Sequence, residues 1–159
     1  MTRRNAALNL WLLAAALLWG NEAVAQDAGH SRPRRWTPAT LFPQGARLAI
    51  VAGDPSRTGQ TIAELSLPDG YRVPRHFHPM NERVEVRQGS LLVLTWARSD
   101  RMTTDTLGVG DSALASDGVP HSWVARGQTV IALTFDGPYT ITYANAFEGP
   151  TRTAFPYRY

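Results

Sequence analysis

Short β-favouring runs, each ended by turn residues, follow one another along most of this chain. The run Arg47–Ala52 stops at Gly53-Asp54-Pro55, and the run over residues 60–67 stops at Pro68-Asp69-Gly70. The alternation continues in the runs 82–87, 90–97, 104–107, 111–115, 122–125, 129–135 and 139–144. Beyond the N-terminal segment, no window of helical length carries an apolar stripe with a 3.6-residue period. The pattern therefore predicts an all-β domain, an antiparallel sandwich or barrel.

The N-terminus has the layout of a secretory signal peptide. Arg3 and Arg4 precede an apolar run over residues 6–19, and a small-x-small cleavage motif ends at Ala25. The apolar run is shorter than the roughly 20 residues that a membrane-spanning helix needs. We therefore expect residues 1–25 to be removed and the mature protein to be periplasmic or secreted, without a membrane segment. An uncleaved N-terminal anchor is the alternative.

The rest of the chain has the length of one ordinary domain. Residues 26–46 are rich in proline and lack periodicity, so they predict an extended arm, with the barrel in residues 47–159. The chain has no cysteine, so its fold rests on its core even where export would permit disulfides. The net charge of +3 is too weak to indicate a nucleic-acid partner.

Three histidines and one glutamate are placed so that they can form a single metal site. His76 and His78 are two positions apart, so on a strand both side chains point to the same face. Glu82 follows closely, and His121 comes after a gap. Imidazole nitrogens and a carboxylate suit Mn, Fe, Ni, Cu and Zn.

Alternation within two runs predicts which side chains point inward. In the run from Glu82, the glutamate shares a face with Val84 and Val86, and this apolar face should be the inner one. Glu85 falls on the opposite, wet face, which excludes it as a ligand. Residues 90–97 are apolar on both faces and need a second cover: another sheet, the N-terminal arm or the partner in a homodimer.

These motifs resemble the two motifs of the cupin superfamily, which are small jelly-roll β-barrels. The first motif has glycine, five residues, His-x-His, three or four residues, glutamate, six residues and glycine. It fits at Gly70, His76, His78, Glu82 and Gly89. The second motif fits at Gly110, Gly118 and His121 but has Ser116 where proline is usual and Ala125 where asparagine is usual.

The resemblance implies a single-domain jelly-roll barrel that covers the chain from about Arg47. It also implies one divalent transition metal, Fe, Mn, Ni, Cu or Zn. The implied ligands are His76, His78, Glu82 and His121.

Two further segments are similar to a group of exported bacterial single-domain cupins, most of them without assigned function. One is the Gly53-Asp54-Pro55 turn, and the other is the closing segment over residues 137–143. That group commonly has polar residues on the strand that corresponds to Ala132 and Thr134. Thr134 is therefore a candidate substrate-binding residue, provided that this position lines the pocket.

Three more side chains are candidates for substrate binding. Trp123 should face inward two residues after His121, where it can stack on a substrate or serve as a core aromatic residue. Arg72 lies an even number of positions from His76, so on a strand it shares the face of His76 and can bind a carboxylate. Arg75 lies on the other face and should point away from the site. Tyr71 can donate a phenolic hydrogen bond or pack below the motif.

The ligand set leaves two functions open. The first is a metal-dependent enzyme, an oxidoreductase or lyase of dioxygenase or decarboxylase type that acts on a small oxygenated or carboxylate compound. No catalytic base is identified, so the catalytic residues stay unassigned. The second function is a non-catalytic periplasmic module that binds or senses a small molecule through its metal.

Overall fold

The computed structural model describes residues 33–97 and 101–150 of the chain. The predicted signal peptide with its cleavage site, and the last part of the predicted barrel domain, residues 151–159, lie outside the described residues. No helix in the described ranges is long and apolar enough to cross a membrane. The strands in these ranges are β1 (Thr37–Pro38), β2 (Arg47–Ala52), β3 (Gly59–Leu67), β4 (Arg72–Phe77), β5 (Glu82–Trp96), β6 (Met102–Leu107), β7 (Ser112–Ala115), β8 (His121–Gly137) and β9 (Thr142–Tyr143).

The strands pair antiparallel and form one curled sheet. One path through it runs β1-β2-β3-β8-β4-β9, and β5 pairs with β8 as well as with β6 and β7. The described residues contain no α-helix. This is the antiparallel jelly-roll barrel that the sequence predicts, so the predicted fold class is confirmed.

The two longest strands, β5 and β8, run side by side through the whole barrel. The first half of β5 pairs with the second half of β8, and the second half of β5 pairs with the first half of β8. The register shifts twice between Val86 and Ser90, so the inward parity changes along β5. Its inward, buried residues are Glu82, Val84, Val86, Leu91 and Val93.

Sequence analysis predicts that these strands break at Gly89 and Gly127, and the structure corrects that prediction. Both strands continue through their glycines, which have φ values of 74° and 72°. A Cβ at Gly89 would lie 2.6 Å from the carbonyl oxygen of Gln128, so the close approach of the two backbones requires glycine. The turn-like residues mark bends within continuous strands.

Apolar side chains fill the barrel interior in rows across neighbouring strands. Leu65 on β3, Ile131 on β8 and Val86 on β5 lie opposite one another and are fully buried. Full burial of one such side chain contributes about 1.5–3 kcal/mol. With no cysteine in the chain, this core is the main source of stability.

The second half of the predicted arm contributes to this core. Leu41 and Phe42 are buried, and the Tyr143 hydroxyl donates a hydrogen bond to the Leu41 carbonyl at 2.9 Å. Residues 39–46 therefore pack with the barrel, although the sequence predicts that the barrel domain begins at Arg47.

The run over residues 90–97 is apolar on both faces, and the two faces differ in burial. Leu91 and Val93 are buried inside, whereas Leu92 and Leu94 are half-buried on the outer face. The homodimer that would cover this outer face stays a prediction.

Candidate metal centre

The site lies inside the barrel where three strands end or begin. His76 is the penultimate residue of β4, His78 follows the end of that strand, His121 starts β8 and Glu82 starts β5. His76 pairs across the sheet with His121, which brings the two imidazoles side by side. All four side chains are at most 1% exposed.

The three histidines are close enough to share one ion. Each offers a ring nitrogen within 4.8 Å of the other two. The ring centroids lie 4.2 Å apart for His76 and His121, 5.0 Å for His76 and His78, and 5.2 Å for His78 and His121. A cluster of this size matches the span of a mononuclear site.

In each of the three site histidines, Nδ1 faces a backbone carbonyl oxygen. His76 Nδ1 lies 2.6 Å from the Pro74 carbonyl oxygen, His78 Nδ1 lies 2.9 Å from that of Thr140, and His121 Nδ1 lies 2.9 Å from that of Val119. A carbonyl oxygen only accepts, so in the neutral rings Nδ1 carries the proton and Nε2 keeps its lone pair. Nε2 of both His76 and His121 is buried without a hydrogen-bond partner, as expected of atoms that bind a metal.

Glu82 brings a carboxylate to the same place. Its Oε2 lies 3.3 Å from His78 Nε2, and neither of its buried oxygens has a hydrogen bond of normal geometry. Burial raises the pKa of Glu82, but His78, His121 and the Tyr139 hydroxyl outweigh burial and lower it overall. Glu82 is therefore ionised at neutral pH and can offset the charge of a bound cation.

The histidine pKa values follow from burial and from these neighbours. Burial and the two other histidines lower the pKa of His76 well below its ordinary value, and burial also lowers that of His121. Burial lowers the pKa of His78 too, but the Glu82 carboxylate outweighs it and raises the pKa overall. His76 and His121 are thus neutral at neutral pH, and the neutral ring is the form that binds metal.

Two hydrogen bonds donated by backbone amides join the loop after His78 to the loop before His121. The Gly118 amide donates to the His78 carbonyl at 2.8 Å, and the Asp117 amide donates to the Asn81 side-chain oxygen at 3.0 Å. These two hydrogen bonds therefore hold the loops of the two sequence motifs together beside the site histidines.

Aromatic rings surround the histidines. Trp123 faces inward as predicted, is buried, and lies 5.5 Å from His76 and 5.6 Å from His121 between ring centroids. Tyr139, which sequence reasoning did not assign to the site, has its ring 4.9 Å from His78 and its hydroxyl 3.5 Å from His78 Nε2. Tyr139 lies in the closing segment over residues 137–143, whose similarity to exported cupins is the signal that could have identified it.

Two predicted substrate-binding residues lie on the outer face. The register of β4 shifts between Val73 and His76, and as a result Val73 is buried while Arg72 is exposed. The prediction that Arg72 points inward is therefore wrong. Thr134 lies between the buried residues Leu133 and Phe135 and is only half-buried. The condition on which Thr134 was a candidate, that its position lines the pocket, is therefore not met, because Leu133 and Phe135 on either side are the residues that point inward.

The other two predictions for this region concern Tyr71 and Arg75. Tyr71 is half-buried, and its hydroxyl donates to the Pro43 carbonyl, so it packs against the N-terminal segment and not on the histidines. The guanidinium of Arg75 stacks 4.7 Å from the ring centroid of the half-buried Trp96, away from the metal residues as predicted.

No family model and no curated protein matches the sequence. Among solved structures, an oxalate oxidase in complex with glycolate is 20% identical, with a TM-score of 0.55 over 65% of this chain and 57% of that one. An RmlC-like cupin from Shewanella frigidimarina is 15% identical, with a TM-score of 0.54 over 65% of this chain and 84% of that one. The oxalate decarboxylase of Bacillus subtilis, which has Mn(II) centres, is 26% identical, with a TM-score of 0.50 over 58% of this chain and 25% of that one.

These likenesses show the fold, as the two sequence motifs imply: the chain folds as a cupin. It spans 57% of the oxalate oxidase and a quarter of the decarboxylase. The class that fold and site define is a cupin-fold protein with a buried three-histidine site able to hold a divalent metal.

Proposed function

We propose that this protein is an exported, metal-dependent enzyme, an oxidoreductase or lyase that acts on a small oxygenated or carboxylate compound. The observation that carries the proposal is the fixed orientation of the three imidazoles. Each Nδ1 is turned to a backbone carbonyl, and the ligand atoms of all three rings converge within 4.8 Å.

The residues fit one divalent transition ion. His76, His78 and His121 would hold it through nitrogen, and the ionised Glu82 would contribute oxygen, a donor set that suits Fe, Mn, Ni, Cu or Zn. When bound, such an ion supplies Lewis-acid chemistry, or redox chemistry in the case of Fe, Mn or Cu. The buried rings around the histidines exclude water, so the charges inside the site interact strongly.

The substrate class is supported by chemistry and by one structural neighbour. A metal with nitrogen and carboxylate ligands takes oxygen donors readily, and small carboxylates are such donors. The neighbouring oxalate oxidase is in complex with glycolate, a small hydroxy acid. We extend this class, and not the particular substrate, to the present chain.

Export is the part of the proposal that depends on the sequence alone. The charged start, short apolar run and small-x-small motif favour cleavage after Ala25. In a bacterial host, the periplasmic fraction should then contain a protein whose N-terminus is Gln26. A full-length protein that remains with the membranes would contradict export by cleavage.

A second candidate function is a binding or sensing module that uses the same metal without turnover. It is favoured by the character of the site, because the groups in contact with the histidines are other histidines, aromatic rings and Glu82. A separate acid or base is not evident among these described contacts.

One experiment distinguishes the two functions. Protein purified from the periplasm is analysed for metal, and its Fe, Mn and Ni forms are incubated with oxalate, glycolate and catechol while oxygen uptake and substrate loss are measured. We expect turnover by the native metal form and none by the metal-free protein. Thermal stabilisation by one of these compounds without any turnover would instead establish the binding module.

A further inference from the structure

Tyr139 is held firmly in place beside the metal residues. Its amide donates to the Pro55 carbonyl at 2.8 Å, and its ring packs 4.6 Å from Phe135 and 4.9 Å from His78 between centroids. The residue is buried. A phenol fixed by one backbone hydrogen bond and two rings presents its hydroxyl in one direction.

That direction is toward the metal residues. The hydroxyl oxygen lies 3.5 Å from His78 Nε2, and the same nitrogen lies 3.3 Å from Glu82 Oε2, so the phenol and the carboxylate approach one atom. In the neutral His78 ring, Nδ1 carries the proton toward Thr140, so Nε2 can only accept, and an ionised carboxylate likewise only accepts. Among these three groups the Tyr139 hydroxyl is therefore the donor, and its single hydrogen can be given to either acceptor.

Of the two acceptors, Glu82 is the one that remains when a metal takes the His78 nitrogen. A carboxylate also accepts a stronger hydrogen bond than a neutral ring nitrogen. Glu82 is fully buried, where an ionised oxygen without a donor is costly. The Tyr139 hydroxyl is the neighbouring donor that can hydrogen-bond to this carboxylate, whose oxygens otherwise lack a hydrogen bond of normal geometry.

We propose that Tyr139 is a positioning residue for Glu82: its hydroxyl holds the carboxylate in the orientation in which Glu82 completes the metal site. This inference rests on the proposed metal binding and assigns a role to a residue outside the four ligands. Tyr139 acts through Glu82, so its effect should vanish when Glu82 can no longer act as a charged acceptor.

Tyr143 provides a matched control. It is also a buried tyrosine of the closing segment, but its hydroxyl donates to the Leu41 carbonyl at 2.9 Å and not to the metal residues. Removing either hydroxyl takes one polar contact from the core, whereas of the two only the Tyr139 hydroxyl points to the metal residues.

The test compares Tyr139→Phe, Tyr143→Phe, Glu82→Gln and the double variant Tyr139→Phe/Glu82→Gln, each checked for folding by circular dichroism. The dissociation constant for Zn(II) is measured by chelator competition, and the visible absorption of the Co(II) form is recorded. Loss of a hydrogen bond to a charged group should raise the dissociation constant of Tyr139→Phe about tenfold or more. The Co(II) spectrum of this variant should change, while Tyr143→Phe should match the wild type in both readouts.

The double variant decides whether Tyr139 acts through Glu82. We expect Tyr139→Phe to have no further effect when Glu82 is already glutamine. Wild-type affinity and spectrum in Tyr139→Phe, or an equal loss in both backgrounds, would overturn this inference alone. A wild-type protein that binds no metal would overturn the proposed function and the inference together.

Discussion

At the scale of single residues, backbone carbonyl oxygens fix the orientation of the three site histidines. The carbonyls of Pro74, Thr140 and Val119 each face one Nδ1, and so the ring orientation is set by the main chain. Such outer contacts fix the tautomer and the direction of a ligand before the metal arrives. The site is therefore preorganised by the fold.

The pKa shifts predict how metal affinity depends on pH. His78, whose pKa is raised above the ordinary 6.5, takes up a proton first as the pH falls, whereas His76 stays neutral because its pKa is lowered. A protonated imidazole cannot bind a metal, so affinity should decrease with acidification, by about tenfold per pH unit while one proton is displaced. Calorimetric titration of Zn(II) between about pH 8 and pH 5 measures this dependence. Affinity that is constant over that range would contradict the assignment.

The spacing of residues in the sequence predicts the site histidines but not the side chains around them. Motif spacing singled out His76, His78 and His121, which the structure brings together. Tyr139 contacts His78 across 61 positions of the chain, a pairing that only the folded strands create. Strict alternation predicts the wrong face for Arg72, because the register of β4 shifts between Val73 and His76 and alternation cannot reveal such a shift.

At the scale of strands, bends determine which residues reach the barrel interior. β5 and β8 each cross the whole barrel, and the shifts near Gly89 exchange the inner and outer faces of β5. The sequence shows such glycines clearly, but a glycine that ends a strand and one that bends it have the same local signature. This is why two continuous strands were predicted as four.

A pair of glycine variants tests the role of the bend in β5. Gly127→Ala meets only the cost of a positive φ, about 1–2 kcal/mol, because no atom lies within 4 Å of its Cβ position. Gly89→Ala has the same cost and also a contact of 2.6 Å with Gln128 and Thr129 atoms, so it should lower the free energy of unfolding further. Urea denaturation followed by circular dichroism measures both. Equal losses in the two variants would show that the close approach at Gly89 is unimportant.

At the scale of the whole molecule, the metal residues come together only in the folded barrel. His76 belongs to β4, Glu82 to β5 and His121 to β8, and each strand is held by pairing to others far along the chain. An unfolded chain has no preformed site, so metal binding and folding should be linked, and bound metal should stabilise the barrel. Metal binding therefore depends on the pairing of these strands as well as on the ligand side chains.

The central claim is that these histidines hold one metal ion, and the metal content of the purified protein tests it most directly. Elemental analysis is carried out on the wild type, on His78→Ala and His121→Ala, and on Ser122→Ala, whose half-buried side chain lies on the outer face next to His121. We predict one equivalent of a divalent transition metal per chain in the wild type and in Ser122→Ala, and loss of that metal in the folded histidine variants. A full equivalent of metal retained by folded His78→Ala or His121→Ala would contradict the site.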